Sequence, residues 1–217
     1  MTAKLKIDIV SDVVCPWCTI GYKRLEKAIT ELGIQDQIEI TWQPFELNPA
    51  MPPEGQNVQE HIGEKYGATL EQQKASQRQM AEAGAELGFT FDYYDDMRMV
   101  NTFEAHVLLE YAQKFGKQTA LKMQLTKAFF SERKDVSQKA ILRQALLDVG
   151  LNVEEALSQL DNDEARLAVR SKQDYWRNLG VNSVPTIVFN NKSAVTGAQP
   201  VPVFKDVLTE LLETKVI

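Results

Sequence analysis

Alternation of apolar and polar residues, the mark of a half-buried strand, is confined to the two ends of this 217-residue chain. Leu5, Ile7 and Ile9 alternate with Lys4, Lys6 and Asp8. Ile38, Ile40 and Trp42 alternate with Glu39, Thr41 and Gln43 until Pro44 limits the run. Between them Ile20, Leu25, Ala28, Ile29 and Leu32 follow helical spacing, and Gly33 stands where a helix cap belongs. The start therefore reads β-α-β, for which a parallel, right-handed pairing is the default. Near the other end, the β-branched and aromatic run Val184 to Phe189, the turn Asn190-Asn191-Lys192 and the segment Ser193 to Thr196 predict an antiparallel hairpin. An amphipathic helix from Pro200 to Lys215 follows, with Phe204, Val207, Leu208, Leu211 and Leu212 on one face.

From the turn-rich segment Ala50-Met51-Pro52-Pro53-Glu54-Gly55 to about Leu179 no such alternation occurs. Spacing there predicts helices over Val58–Tyr66, Thr69–Leu87, Thr102–Phe115, Gln118–Phe130, Gln138–Val149, Val153–Leu160 and Asp163–Leu179. Gly67, Gly88, Gly116, Gly150 and Gly180 suit C-terminal caps, and Ser137 and Asn152 suit N-caps. One sheet must then be assembled from strands that a helical insertion separates. The expectation is an α/β fold with residues 1–49 and 180–217 as one discontinuous domain and 50–179 as an inserted helical domain.

Composition narrows the function. A formal charge of −6 offers no basic footprint for phosphate backbones or anionic lipid, so nucleic acid and membrane are not expected partners. Charges interrupt the apolar residues between Met1 and Val10, unlike the core of a secretory signal, which predicts a cytoplasmic protein. The two cysteines, Cys15 and Cys18, are too close in sequence to staple distant segments. Zinc would need about four ligands, and only His61 and His106 remain as nitrogen donors, without zinc-finger spacing; no metal is expected.

A close cysteine pair at a strand-to-helix junction suits redox chemistry. With Pro16 as first helical residue, Cys15 becomes the N-cap and its sulfur can accept from the free amides of Trp17 or Cys18. The positive end of the helix dipole favours its thiolate, making Cys15 the expected nucleophile. Cys18, one turn inside, is the expected resolving thiol. No organic cofactor is implied, because two sulfurs can hold the redox equivalents; glutathione is a candidate co-substrate.

Cys15-Pro16-Trp17-Cys18 after a strand, Val184-Pro185-Thr186 before another, and the helical insert between them resemble the DsbA-like branch of the thioredoxin superfamily over nearly the whole chain. Asp12-Val13-Val14-Cys15, Trp42-Gln43-Pro44-Phe45-Glu46-Leu47-Asn48-Pro49, Asn101-Thr102-Phe103-Glu104-Ala105-His106 and Gly180-Val181-Asn182-Ser183-Val184-Pro185 with Gly197-Ala198-Gln199-Pro200 look like its FrnE subgroup. The resemblance implies a thioredoxin-like fold, thiol-disulfide oxidoreductase or isomerase activity, a cis Val184-Pro185 bond beside the cysteines, and a Val184 backbone free to pair with substrate.

His106 has two readings: a satisfied, half-buried histidine, or a group the helical domain lowers over the cysteines to tune the thiolate. His61, amid Gln, Glu and Lys, reads as a solvated surface residue. Trp17 reads as an exposed apolar platform for substrate and Trp42 as core; Phe45, Leu47 and Met51 either extend a groove or fill the core. Met97, Met99 and Met123 show no pattern. Rival readings are a glutathione-dependent transferase or isomerase, resembling the kappa class and the hydroxychromene carboxylate isomerases, and a chaperone-like binding module. Monomer and homodimer stay open.

Overall fold

The computed structural model describes residues 4–213; the N-terminal reading at Met1 to Ala3 and the helix end at Lys215 lie outside the described residues. Strand β1 (Leu5–Ser11) leads into helix α1 (Pro16–Leu32), and a short 3-10 turn at Gln35–Gln37 returns the chain to β2 (Ile38–Pro44). β1 and β2 pair parallel from Leu5 opposite Ile38 to Ser11 opposite Pro44. β5 (Thr186–Phe189) lies antiparallel on the other side of β1, and β6 (Ser193–Thr196) pairs back on β5. The sheet order is β2-β1-β5-β6, so strands from both chain ends share one sheet. Asn190 and Asn191 take φ of 50° and 56°, the left-handed turn that Asn tolerates.

The insertion carries α2 (Val58–Tyr66), α3 (Leu70–Ala85), α4 (Phe103–Gln113), α5 (Gln118–Phe130), α6 (Lys139–Asp148), α7 (Val153–Ser158) and α8 (Asp163–Asn178). Two-residue strands β3 (Gln56–Asn57) and β4 (Arg98–Met99) form a separate antiparallel pair, too short to show alternation. Capping explains several helix starts. The Asn57 side chain accepts from the Gln59 and Glu60 amides, Thr69 and Gln72 form a capping box, and Asn152 and Asn162 each accept one amide. Ser137 does not cap α6; its hydroxyl donates to the Asp135 carboxylate at 2.6 Å, a stronger acceptor close at hand, and Gln138 takes the cap position without a side-chain bond. Helix α9 (Val201–Glu213) closes the described chain.

One face of β1 is buried along its length, the other only toward its end. Leu5, Ile7 and Ile9 meet Leu25 of α1, Ile187 and Phe189 of β5, and Phe204 and Leu208 of α9. Val10 faces the other way and packs with Val188, Phe45 and Trp176 of α8. A larger core lies within the insertion, around Leu108, Leu121, Leu125 and Leu142, and it also takes in Val13, Val14 and Ile20. The turn before α1 therefore belongs to the insertion's core, while the body of α1 belongs to the sheet's.

Candidate active site

β1 delivers the chain through Asp12, Val13 and Val14 to Cys15 at the cap of α1, with Pro16 at the first helical position, where a missing N–H costs nothing. The cap works through the backbone. The Cys15 carbonyl accepts from Cys18 N at 3.2 Å and Thr19 N at 3.4 Å, but the Cys15 sulfur accepts no amide, contrary to the expected cap. Instead the Cys15 thiol donates to the Val184 carbonyl across a long 3.9 Å contact. Sulfur so engaged turns away from the helix amides and toward the facing loop. That loop carries a cis Val184–Pro185 bond and sits close on α1 because residue 21 is glycine. A Cβ there would stand 3.1 Å from Pro185 Cγ. Val184 is half-buried, and its carbonyl is occupied by Cys15.

Both sulfurs are buried, Cys15 with 4% and Cys18 with 1% of its surface exposed. Burial, and the hydrogen bond and charge of adjacent Cys15, push the Cys18 thiol well above its ordinary range; Lys122 and the Asp12 backbone N–H pull the other way. Asp12 is buried as well. Burial opposes its ionisation, yet the His106 hydrogen bond and charge, the Leu47 N–H and Lys122 outweigh it and hold the carboxyl below its usual range. His106 Nε2 lies 3.2 Å from Asp12 Oδ1, while Asp12 also accepts from the amides of Val13 at 2.7 Å and Leu47 at 2.8 Å. His106 is buried rather than half-buried, and its partner is the carboxylate three residues before Cys15.

Lys122 completes this group. Its Nζ is buried without a hydrogen bond, 5.1 Å over the Trp42 ring. Burial depresses its pKa, and Cys18, Asp12 and Cys15 partly restore it. The sequence did carry a signal for it: Lys122 falls on the helical stripe of Leu125 and Phe129, so a cation stands on an apolar face. Asp12 carried none beyond its place beside the cysteines.

Cys15 opens onto a cavity of about 640 Å³. Trp17 is half-buried in its wall, packed against the insertion's core rather than exposed, because α2 and α3 fold over the start of α1. Leu47, Met97 and Met99 line it too, whereas Phe45, Met51 and Trp42 are core. Tyr93, Met80, Phe129 and Phe130 were not anticipated as lining residues, since they come from separate segments that only the fold brings together. Burial first, then the charge of Cys15, raises the Tyr93 phenol; its hydroxyl donates to Met80 Sδ at 3.6 Å. His61 is not a solvated residue: it lines the cavity, its Nδ1 2.7 Å from Gln56 Oε1 and its Nε2 2.9 Å from Asn48 Oδ1. The loop after β2 supplies that acceptor and draws the ring inward. No group of three His, Cys, Asp or Glu able to hold a metal occurs among the described residues. No helix among them is long and apolar enough to cross a membrane.

The DSBA-like thioredoxin domain matches residues 6–209. The uncharacterized protein YwbO of Bacillus subtilis is 25% identical over 217 residues, 97% of this chain and 98% of its own. The crystal structure of a probable DsbA oxidoreductase from Streptomyces coelicolor superposes with a TM-score of 0.88 at 30% identity, covering 95% of this chain and 89% of the other. The cytosolic disulfide reductase DsbM of Pseudomonas aeruginosa, solved with GSH, shares the fold at a TM-score of 0.66 and 15% identity, over 96% of this chain and 99% of its own. A buried cysteine pair at the start of the first helix, on a sheet built from both chain ends, sits within a match spanning nearly the whole chain: the protein belongs to the DSBA-like thioredoxin family.

Proposed function

We propose that the protein is a thiol-disulfide oxidoreductase or isomerase, of the FrnE subgroup, that works through Cys15 and Cys18 in the cytoplasm. One observation carries this: Cys15 and Cys18 are both buried together in the first turn of α1, with the Cys15 sulfur 3.9 Å from the Val184 carbonyl of the cis-Pro185 loop. In the reducing direction the Cys15 thiolate attacks one sulfur of a substrate disulfide. A Cys15–substrate disulfide forms and one thiolate leaves. Cys18 then loses its proton and attacks Cys15 Sγ, which closes the Cys15–Cys18 disulfide and releases the second thiolate. Two electrons pass from the protein dithiol to the substrate, and the reverse sequence oxidises a dithiol. Trp17 and Val184 border the approach to Cys15, and His106 acts on the site through Asp12. Support for the subgroup comes from the four motifs in order, and a reducing compartment suits a chain with both cysteines in one site.

The test is equilibration in graded glutathione buffers with the thiol state read by alkylation and mass spectrometry. A reversible two-electron transition ending in an intramolecular Cys15–Cys18 disulfide is expected. A single glutathione adduct on Cys15 without that disulfide would refute the dithiol cycle and favour the transferase reading.

A further inference from the structure

The cavity over Cys15 has a size, a lining and a charge that together describe a substrate. Its volume of about 640 Å³ falls within the range of small-molecule sites. Cys15 is only 4% exposed, so a disulfide must enter this space to reach it. Trp17, Met80, Met97, Met99, Phe129 and Phe130 give it an apolar and aromatic interior.

Charge is the sharper clue. In a chain of formal charge −6, no Asp or Glu is among the described residues that line the cavity, and Lys65 is the only Lys or Arg among them. The Lys65 ammonium donates to the Leu47 carbonyl at 2.9 Å and to Asn48 Oδ1 at 2.6 Å. Both acceptors are neutral, so they fix the head group without cancelling its charge. Asn48 Oδ1 also meets His61 Nε2, which holds that acceptor in place.

We propose that this cavity takes a small disulfide or thiol with an aromatic or otherwise apolar body and a carboxylate, and that Lys65 selects for the carboxylate. The inference rests on the reading of Cys15 as the attacking sulfur and names the substrate class for that step. Cys15–S⁻ attacks one sulfur of R–S–S–R, giving Cys15–S–S–R and R–S⁻. Cys18, after giving up its proton to solvent, displaces the second R–S⁻ and closes the protein disulfide. The substrate gains two electrons and the dithiol loses two, with no further reagent.

The experiment uses the fully reduced protein at low ionic strength in stopped flow. One probe is dithiobis(nitrobenzoate), an aromatic disulfide carrying carboxylates; the other is dithiodipyridine, aromatic and uncharged. Lys65→Met should slow thiolate release from the first by about fivefold or more, leave the second within about twofold, and lose its effect in high salt. Lys65→Arg should retain the preference. Equal losses on both probes would mean that Lys65 merely ties α2 to the loop after β2, and an unchanged rate would mean that its charge is not felt; either overturns the proposal. Ser76→Trp, which puts bulk into the lining, should slow both probes by about tenfold. Full rates in that variant would show that disulfides reach Cys15 by another path. Insulin, as a polypeptide disulfide, should react about a hundredfold more slowly than either probe, and comparable rates would overturn the restriction to small molecules. The dithiol cycle is read separately: one thiolate released per protein instead of two would end that reading while leaving the selectivity of Lys65 intact.

Discussion

Burial pushes the Cys18 thiol above its ordinary range, and that cause persists in the mixed disulfide, where Cys15 no longer carries a charge, so Cys18 must lose its proton before it can resolve that bond. For a group whose pKa lies above the working pH, the thiolate fraction grows roughly tenfold per pH unit. Release of the second thiolate should therefore accelerate across the neutral and mildly alkaline range. Lys122 is the cation that lowers the cost of that thiolate, from a buried position without a hydrogen bond. Lys122→Met should slow the second release by about tenfold at fixed pH and move its pH profile upward. Stability in urea should stay within about 1 kcal/mol, because removing an ammonium without a hydrogen bond also removes its desolvation cost. Identical second-phase rates in variant and wild type would take Lys122 out of the mechanism.

At the scale of elements, the edge of the sheet shows how the insertion is fixed to it. β2 is an edge strand, and Gln118 at the start of α5 pairs with its backbone: the Trp42 N–H donates to Gln118 Oε1 at 2.8 Å, and Gln118 Nε2 donates to the Trp42 carbonyl at 2.9 Å. A side-chain amide thus stands where another strand would pair. Gln118→Leu would leave both buried main-chain groups unsatisfied and should cost about 3 kcal/mol, read as a lower urea midpoint with an unchanged slope. A loss below about 0.5 kcal/mol would show that water replaces the amide. A second close fit lies at Gly84 of α3, where a Cβ would come within 2.5 Å of the Phe91 ring. Neither contact is visible in the sequence: Trp42 and Gln118 lie 76 residues apart, and the approach of Phe91 to Gly84 depends on how the chain folds back after α3. What the sequence does show is what local rules determine. α2 and α5 begin and end where spacing predicts; Asn57 caps the start of α2 and Gly67 its end, whereas α5, flanked by Lys117 and Ser131, has neither a side-chain cap nor a glycine at its ends. The cysteine pair was legible because its chemistry is contained in four consecutive residues. The cavity was not, because Tyr93, Met97 and Phe129 converge only after α3 and α5 have packed.

Across the whole molecule the cysteines lie on a seam between two cores. Val13, Val14 and Ile20 pack with the insertion, whereas Tyr22, Leu25, Ala28 and Ile29 of the same helix pack with the sheet. Buried polar contacts span the seam as well. Asp12 meets His106 of α4, and Glu46 meets Arg170 and Gln173 of α8. Contacts this numerous should make the sheet and the insertion unfold as one unit, with tryptophan fluorescence and far-UV circular dichroism tracing one transition. Asp12 offers a way to probe the seam by pH. Its folded pKa lies below the unfolded value of about 3.9, so its contribution is present above that value and lost as pH falls through the folded pKa. Asp12→Asn should then cost about 2–3 kcal/mol near neutral pH, and its deficit should shrink in acid as wild type loses the same charge. Because Asp12 sits between β1 of the sheet and the Val13–Val14 turn of the insertion's core, and other contacts span the seam, the two signals should still move together in the variant. Separate transitions would show that the carboxylate holds the halves together, and a deficit independent of pH would show that its size and hydrogen bonds, rather than its charge, support the site.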